Sequence, residues 1–172
     1  MRRMLLLCAA ILTLSVSSAQ TTSLKPPPQA TDVTAADIRQ FLDALPREEV
    51  SDRPIRVVEV TGDYRVGVFA VFRPVAFPGD ANLHEVNTTE IYYMLTGTAT
   101  LVTGGRLVDP YRPEGSNTSL RGPRIEGGVE RKVGPGDVVV IPGRTPHWWS
   151  SLDGDIEYLI FRPDPDNRLN LR

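Results

Sequence analysis

The pattern of apolar and polar positions changes its rhythm along the chain. Residues 4–16 are predominantly apolar, follow Arg2 and Arg3, and give way to the small side chains of Ser17, Ser18 and Ala19. That is the build of a cleavable export signal over 1–19, shorter than the roughly twenty residues of a membrane span. The polar residues at 20–23 speak against the alternative, an uncleaved anchor. Residues 20–31 carry Pro26, Pro27 and Pro28 in succession and predict a flexible, extended leader. Over 32–48 the period becomes helical. Ile38, Phe41, Leu42 and Leu45 share one face, Thr34 and Asp37 stand at capping-box spacing, and Pro46 closes the element. The apolar face is read as packing on the domain, with partner binding as the alternative.

From residue 54 the pattern is that of short strands. Segments 55–60, 64–72, 90–95, 98–103, 138–141 and 156–161 are rich in Val, Ile, Tyr, Phe and Thr, and most are bounded by Gly, Pro, Asp or Asn. Segment 64–72 alternates only loosely, which fits burial on both faces. Gly97 lies in a tight reversal between two strands, and Gly134, Pro135, Gly136 and Asp137 form another turn. Short strands separated by such turns predict an all-β sandwich or barrel over 54–165, preceded by one short N-terminal helix. The stretch 104–130, with Pro110, Pro113, Pro123 and several glycines, has no periodicity. It is read as a long inserted loop, serving as a lid, an oligomer contact or a solvated excursion.

Composition narrows the class. Cleavage after Ala19 would leave roughly 150 of the 172 residues, enough for one domain with a real core. It would also remove Cys8, the one cysteine, so a disulfide, a thiolate ligand and a cysteine nucleophile are all excluded from the mature chain. Loss of Arg2 and Arg3 takes the 19 basic residues to 17 against 21 acidic ones, a net charge of about −4. Mild acidity argues against nucleic acid as a partner. The absence of a basic amphipathic helix argues against the membrane surface once the signal is cleaved. A soluble, exported protein, secreted or periplasmic, is the expectation.

Candidate chemistry is sparse. The chain has two histidines, His84 and His147, each in a strand-rich segment punctuated by Gly and Pro. Imidazole is a common metal ligand, and a carboxylate such as Glu90 completes a three-ligand face. Around the first histidine the order is Gly79, His84, Val86, Glu90 and Gly97; around the second it is Gly136, Pro142, Arg144, His147 and Ser151. Together these segments resemble the two motifs of the cupin superfamily, in the form of a small single-domain exported cupin with a reduced first motif. Val86 stands where that motif has a second histidine, and Arg144 stands where the second motif has glycine. The resemblance covers 55–163. It implies a jelly-roll β-barrel in which His84, Glu90 and His147 converge on one divalent transition metal (Fe, Mn, Ni or Zn), and a homodimer formed through the sheets.

Strand alternation places Tyr92 on the face of Glu90 and Trp149 on the face of His147, with Tyr93 and Trp148 opposite. Tyr92 and Trp149 are therefore candidate walls of a substrate pocket. Tyr92 is also a candidate catalytic acid or base, provided a nearby positive charge lowers its pKa. The implied function is a metal-dependent cupin enzyme acting on a small organic molecule, with dioxygenase, isomerase and lyase chemistry all open. The alternative is a non-catalytic module that holds a small molecule without metal, using His84 and His147 as hydrogen-bond partners.

Overall fold

The computed structural model describes residues 29–60 and 64–170. The signal expected at 1–19 lies outside the described residues, as does most of the leader expected at 20–31. The chain runs through helix α1 (Ala35–Asp43) and strands β1 (Ser51–Val60), β2 (Tyr64–Arg73), β3 (Ala81–His84), β4 (Glu90–Thr96), β5 (Ala99–Thr103), β6 (Arg106–Leu107), β7 (Ser119–Gly122), β8 (Ile125–Glu126), β9 (Val129–Val133), β10 (Val138–Ile141), β11 (His147–Leu152) and β12 (Ile156–Asp164). Two five-stranded antiparallel sheets form, ordered β1-β2-β12-β4-β10 and β7-β3-β11-β5-β9, with a small ribbon of β6 and β8. This is a cupin-type jelly-roll β-barrel with one short helix in front of it.

Three apolar clusters explain the layers. Between the sheets lie Phe69, Val71, Tyr92, Met94, Leu101, Trp149, Tyr158 and Ile160. Intervening residues of β2 and β12, namely Ala70, Phe72 and Leu159, point the other way and pack against Leu42 and Leu45 of the helical segment. The loose alternation of β2 thus has a physical cause, because both faces of the strand are covered. On the far side of the second sheet, Ala81 and Val102 pack with Leu107 and Ile125 of the ribbon. No helix of the described residues is long and apolar enough to cross a membrane.

Two boundaries differ from the sequence expectation. The helix is confined to Ala35–Asp43 rather than 32–48. Thr34 and Asp37 form the capping box at its start, and Pro46 disfavours helical geometry in the residue before it. The helix is clamped to the barrel by Arg39 and Arg47, whose guanidinium groups both bond Glu157 at 2.9 to 3.1 Å. The stretch 104–130, expected as a loop, instead supplies β6, β7, β8 and the start of β9. Strands of two to five residues broken by Gly and Pro carry too little periodicity to be read locally, and exist because a neighbouring strand pairs with them.

Candidate metal centre

His84, Glu90 and His147 come together from both sheets. His147 opens β11 directly opposite Asn82 of β3, and opposite residues of an antiparallel pair share a face. His84 lies two residues beyond Asn82 and so faces the same interior. Glu90 opens β4 in the facing sheet. One ligand atom from each residue lies within 4.8 Å of the others. His84 Nε2 is 3.4 Å from Glu90 Oε1, and His147 Nε2 is 3.4 Å from Glu90 Oε2. A tetrahedral site with arms of about 2.1 Å has ligand-to-ligand edges of about 3.4 Å, so the donor set fits a transition-metal ion in type, and each imidazole stands at such a spacing from one carboxylate oxygen.

The second nitrogen of His147 fixes that ring's tautomer. His147 Nδ1 lies 3.0 Å from the Thr145 carbonyl, which can only accept, so Nδ1 carries the proton and Nε2 keeps its lone pair. His84 Nδ1 lies 3.0 Å from Ser119 Oγ, while Asn82 Nδ2 donates to Nε2 at 3.1 Å. Burial pushes the His147 imidazole below its ordinary pKa despite the nearby Glu90, which keeps the ring neutral. Burial alone would raise the Glu90 carboxyl. The Arg162 guanidinium is the foremost influence against that effect, and the carboxyl is held well below the usual carboxylate range. At His147 and Glu90 the wall therefore presents a neutral imidazole and an ionised carboxylate, the protonation states that metal ligation requires.

The carboxylate is itself held. Tyr92 donates its hydroxyl to Glu90 Oε2 at 2.9 Å, and Arg162 Nε donates to Oε1 at 2.8 Å. Arg162 also clasps Asp52 through Nη1 and Nη2. Burial first, then Glu90, pushes the Tyr92 hydroxyl well above its ordinary pKa. In the protein by itself the Tyr92 hydroxyl is thus a donor orienting Glu90. Trp149 is buried, with its ring 6.0 Å from that of Tyr92 and its Nε1 donating to Tyr158 Oη at 3.2 Å. Tyr93 is exposed on the other face and Trp148 packs under the ribbon.

Two cavities meet at this wall. The inner one, about 100 Å³, is lined by Arg73, Asn82, Tyr92, His147, Trp149 and Tyr158 among others. The outer cleft, about 540 Å³, is bounded by Val86, Thr88, Thr118, Arg168 and Leu169. His84, Glu90, Asp52 and Arg162 line both. Val86, in place of the second histidine, therefore contributes an apolar wall to the outer approach. Arg144 sits at φ 63, the left-handed conformation that favours glycine, and its Nε donates to Asn87 Oδ1 at 3.2 Å.

Sequence reasoning missed Arg162, Asp52, Asn82 and Ser119. Arg162 had a signal. Tyr158, Ile160 and Arg162 alternate along β12, so a charge follows two inward-facing residues at the same parity. Ser119 had none, because its place beside His84 arises from the pairing of β7 with β3.

No protein-family model matches the sequence, and no curated protein matches it. Solved structures do. The chain is similar to hydroquinone 1,2-dioxygenase from Sphingomonas sp. TTNP3 with 4-hydroxybenzoate bound, at 8% identity over 81% of this chain and 83% of that one, with a TM-score of 0.50. It is also similar to TT1209 from Thermus thermophilus, at 16% identity over 73% and 93% of the two chains and a TM-score of 0.46. A third is DMSP lyase DddQ from Ruegeria pomeroyi DSS-3, at 16% identity over 84% and 79% and a TM-score of 0.41. At such identities the likeness is one of fold.

Proposed function

We propose that this chain is an exported, metal-dependent cupin enzyme acting on a small organic molecule. The observation that carries the reading is the convergence of two imidazoles on one buried carboxylate, each Nε2 lying 3.4 Å from a different oxygen of Glu90. A bound divalent ion (Fe, Mn, Ni or Zn) would supply Lewis acidity toward a substrate oxygen, with oxidative chemistry open to iron. The chain's own residues do the positioning. Thr145 and Ser119 fix the rings, while Tyr92 and Arg162 hold Glu90, as hydrogen-bond partners of ligating side chains do elsewhere. With Val86 in place of a histidine, three protein ligands leave the cavity side of the centre open to substrate. Trp149, Tyr158 and Tyr92 give that side an apolar, aromatic wall.

A second reading is favoured by one contact. Arg162 already supplies a cation to Glu90, so the cluster is charge-compensated as a metal-free binding module would need. Elemental analysis of the mature protein, purified without chelator beside His147→Ala and Glu90→Gln, separates the two. About one metal per chain in the parent, lost in both variants, supports the enzyme. Folded protein that stays empty after incubation with Fe(II), Mn(II), Ni(II) and Zn(II) refutes it. Export rests on residues 1–19, and N-terminal sequencing of exported protein beginning at Gln20 would support it. A homodimer finds support in the exposed Tyr93, Val138 and Val140, side chains of one outer face at the β10 edge. Sedimentation velocity of the parent and Val138→Lys tests it.

A further inference from the structure

Arg73, the last residue of β2, is a cation without a counter-ion. Among the described residues no carboxylate is within ion-pair distance of it, whereas Arg162 is shared by Asp52 and Glu90. Its Nη1 donates to the Pro78 carbonyl and its Nη2 makes a long 3.4 Å contact with Tyr158 Oη. Its Nε is buried with no hydrogen-bond partner in the protein. Gly79 makes room for this group. The glycine sits at φ +82, and a Cβ there would lie 2.7 Å from Nη1. The guanidinium lines the inner cavity together with Asn82, whose Oδ1 is likewise buried and unpaired. Leaving a largely buried cation without a carboxylate partner is costly, so the guanidinium calls for an anionic ligand in that cavity.

The geometry points to Arg73 as the anchor of a substrate carboxylate, making the substrate of this site a small organic acid. Nη1 is taken by the chain and Nε is closed off, which leaves Nη2, with only its long contact to Tyr158, to meet a carboxylate oxygen through a charge-assisted hydrogen bond. Size follows from the cavity of about 100 Å³. At roughly 10–15 Å³ per water-sized occupant, it admits a molecule of up to about ten heavy atoms. Trp149, Tyr158 and Tyr92 then contact its apolar body, and His84, Glu90 and His147 face the end remote from the acid. The inference rests on the enzyme reading for the role of that remote end, but the anion contact itself does not need a metal.

The test is calorimetric titration of the mature protein with benzoate and propionate against their neutral amides, benzamide and propionamide, before and after chelator treatment. At least one acid should bind roughly ten- to a hundredfold tighter than its amide, the worth of a hydrogen bond to a charged group. Arg73→Gln should remove that preference by a similar factor and leave metal content unchanged, and Arg73→Lys should keep part of it. Equal binding of acid and amide, or no binding by either pair, overturns the proposal. So does acid binding that disappears with the metal but tolerates Arg73→Gln, since the ion would then be the anchor. Arg73-dependent acid binding in protein that never takes up metal upholds the anion site while refuting the metalloenzyme. Should Arg73→Gln fail to fold by circular dichroism, the acid and amide pairs on the parent protein decide alone.

Discussion

Replacing Arg162 by leucine removes the cation from a carboxylate that has almost no access to water. Glu90 is 2% exposed, and Arg162 meets it through Nε and Nη2, each 2.8 Å from Oε1. Breaking a buried ion pair from one side costs about 3–5 kcal/mol, because the remaining charge is left desolvated. The Tyr92 hydroxyl stays on Oε2 but carries no charge to offset it. Asp52 also loses its partner, but its side chain is 37% exposed, so that loss adds only about 0–1 kcal/mol. Urea unfolding at neutral pH in chelator, followed by tryptophan fluorescence, should register the loss as a fall in midpoint at unchanged slope. On heating it corresponds to roughly 6–20 °C in Tm for a chain of this size. Adding Glu90→Gln to Arg162→Leu should recover at least about 1 kcal/mol, since the orphaned charge is then gone. Added Zn(II) should raise the midpoint of Arg162→Leu more than that of the parent, because the ion takes over as counter-charge. A single variant within about 1 kcal/mol of the parent, or strictly additive variants, would refute the electrostatic account of this wall.

Other consequences are separable. Tyr92→Phe should fold normally but bind metal roughly tenfold more weakly in competition with a chromogenic chelator, since it deletes the donor to Glu90 Oε2; unchanged affinity would make the contact incidental. Glu157 has a folded pKa below its ordinary value, with Arg39 and Arg47 outweighing its burial. Its stabilising contribution is therefore complete above the usual carboxylate range and is lost as pH falls through the depressed folded value. Denaturation midpoints measured from pH 7 to about pH 3 should fall more steeply in the parent than in Glu157→Gln, and parallel curves would count against the clamp on the helix. Leu42 is 0% exposed where α1 meets the barrel, so Leu42→Ala should cost about 2–5 kcal/mol in urea unfolding. A loss below about 1 kcal/mol would mean that the helix is not integral to the domain.

Local patterns made much of this molecule legible. The six segments read as strands all lie within or largely coincide with β1, β2, β4, β5, β10 and β12, because each carries enough β-branched and aromatic residues to mark itself. The capping residues of α1 act within four positions of one another, so they too can be read without a fold. The strand reading of 156–161 stopped one residue short of Arg162, which Pro163 follows. Here the proline lies past the last residue that pairs with β4, where β12 has a partner on one side only and tolerates a missing N–H.

His84, Glu90 and His147 were recognisable from residue type and spacing, since few residues ligate metals and the motif intervals place them at strand ends. Alternation further put Tyr92 beside Glu90 and Trp149 beside His147, because the two-residue period of a strand is a property of the backbone alone. Tertiary structure decided everything that depends on which strands are neighbours. The pairing of β3 with β7 brings Ser119 to His84, the register of β12 against β4 brings Arg162 to Glu90, and the course of the chain after β2 leaves Arg73 lining the cavity with no carboxylate of the described residues at ion-pair distance. Local sequence encodes which way a side chain points; the charge that awaits it there is set by strands far away in the chain, through pairings that no short-range pattern records.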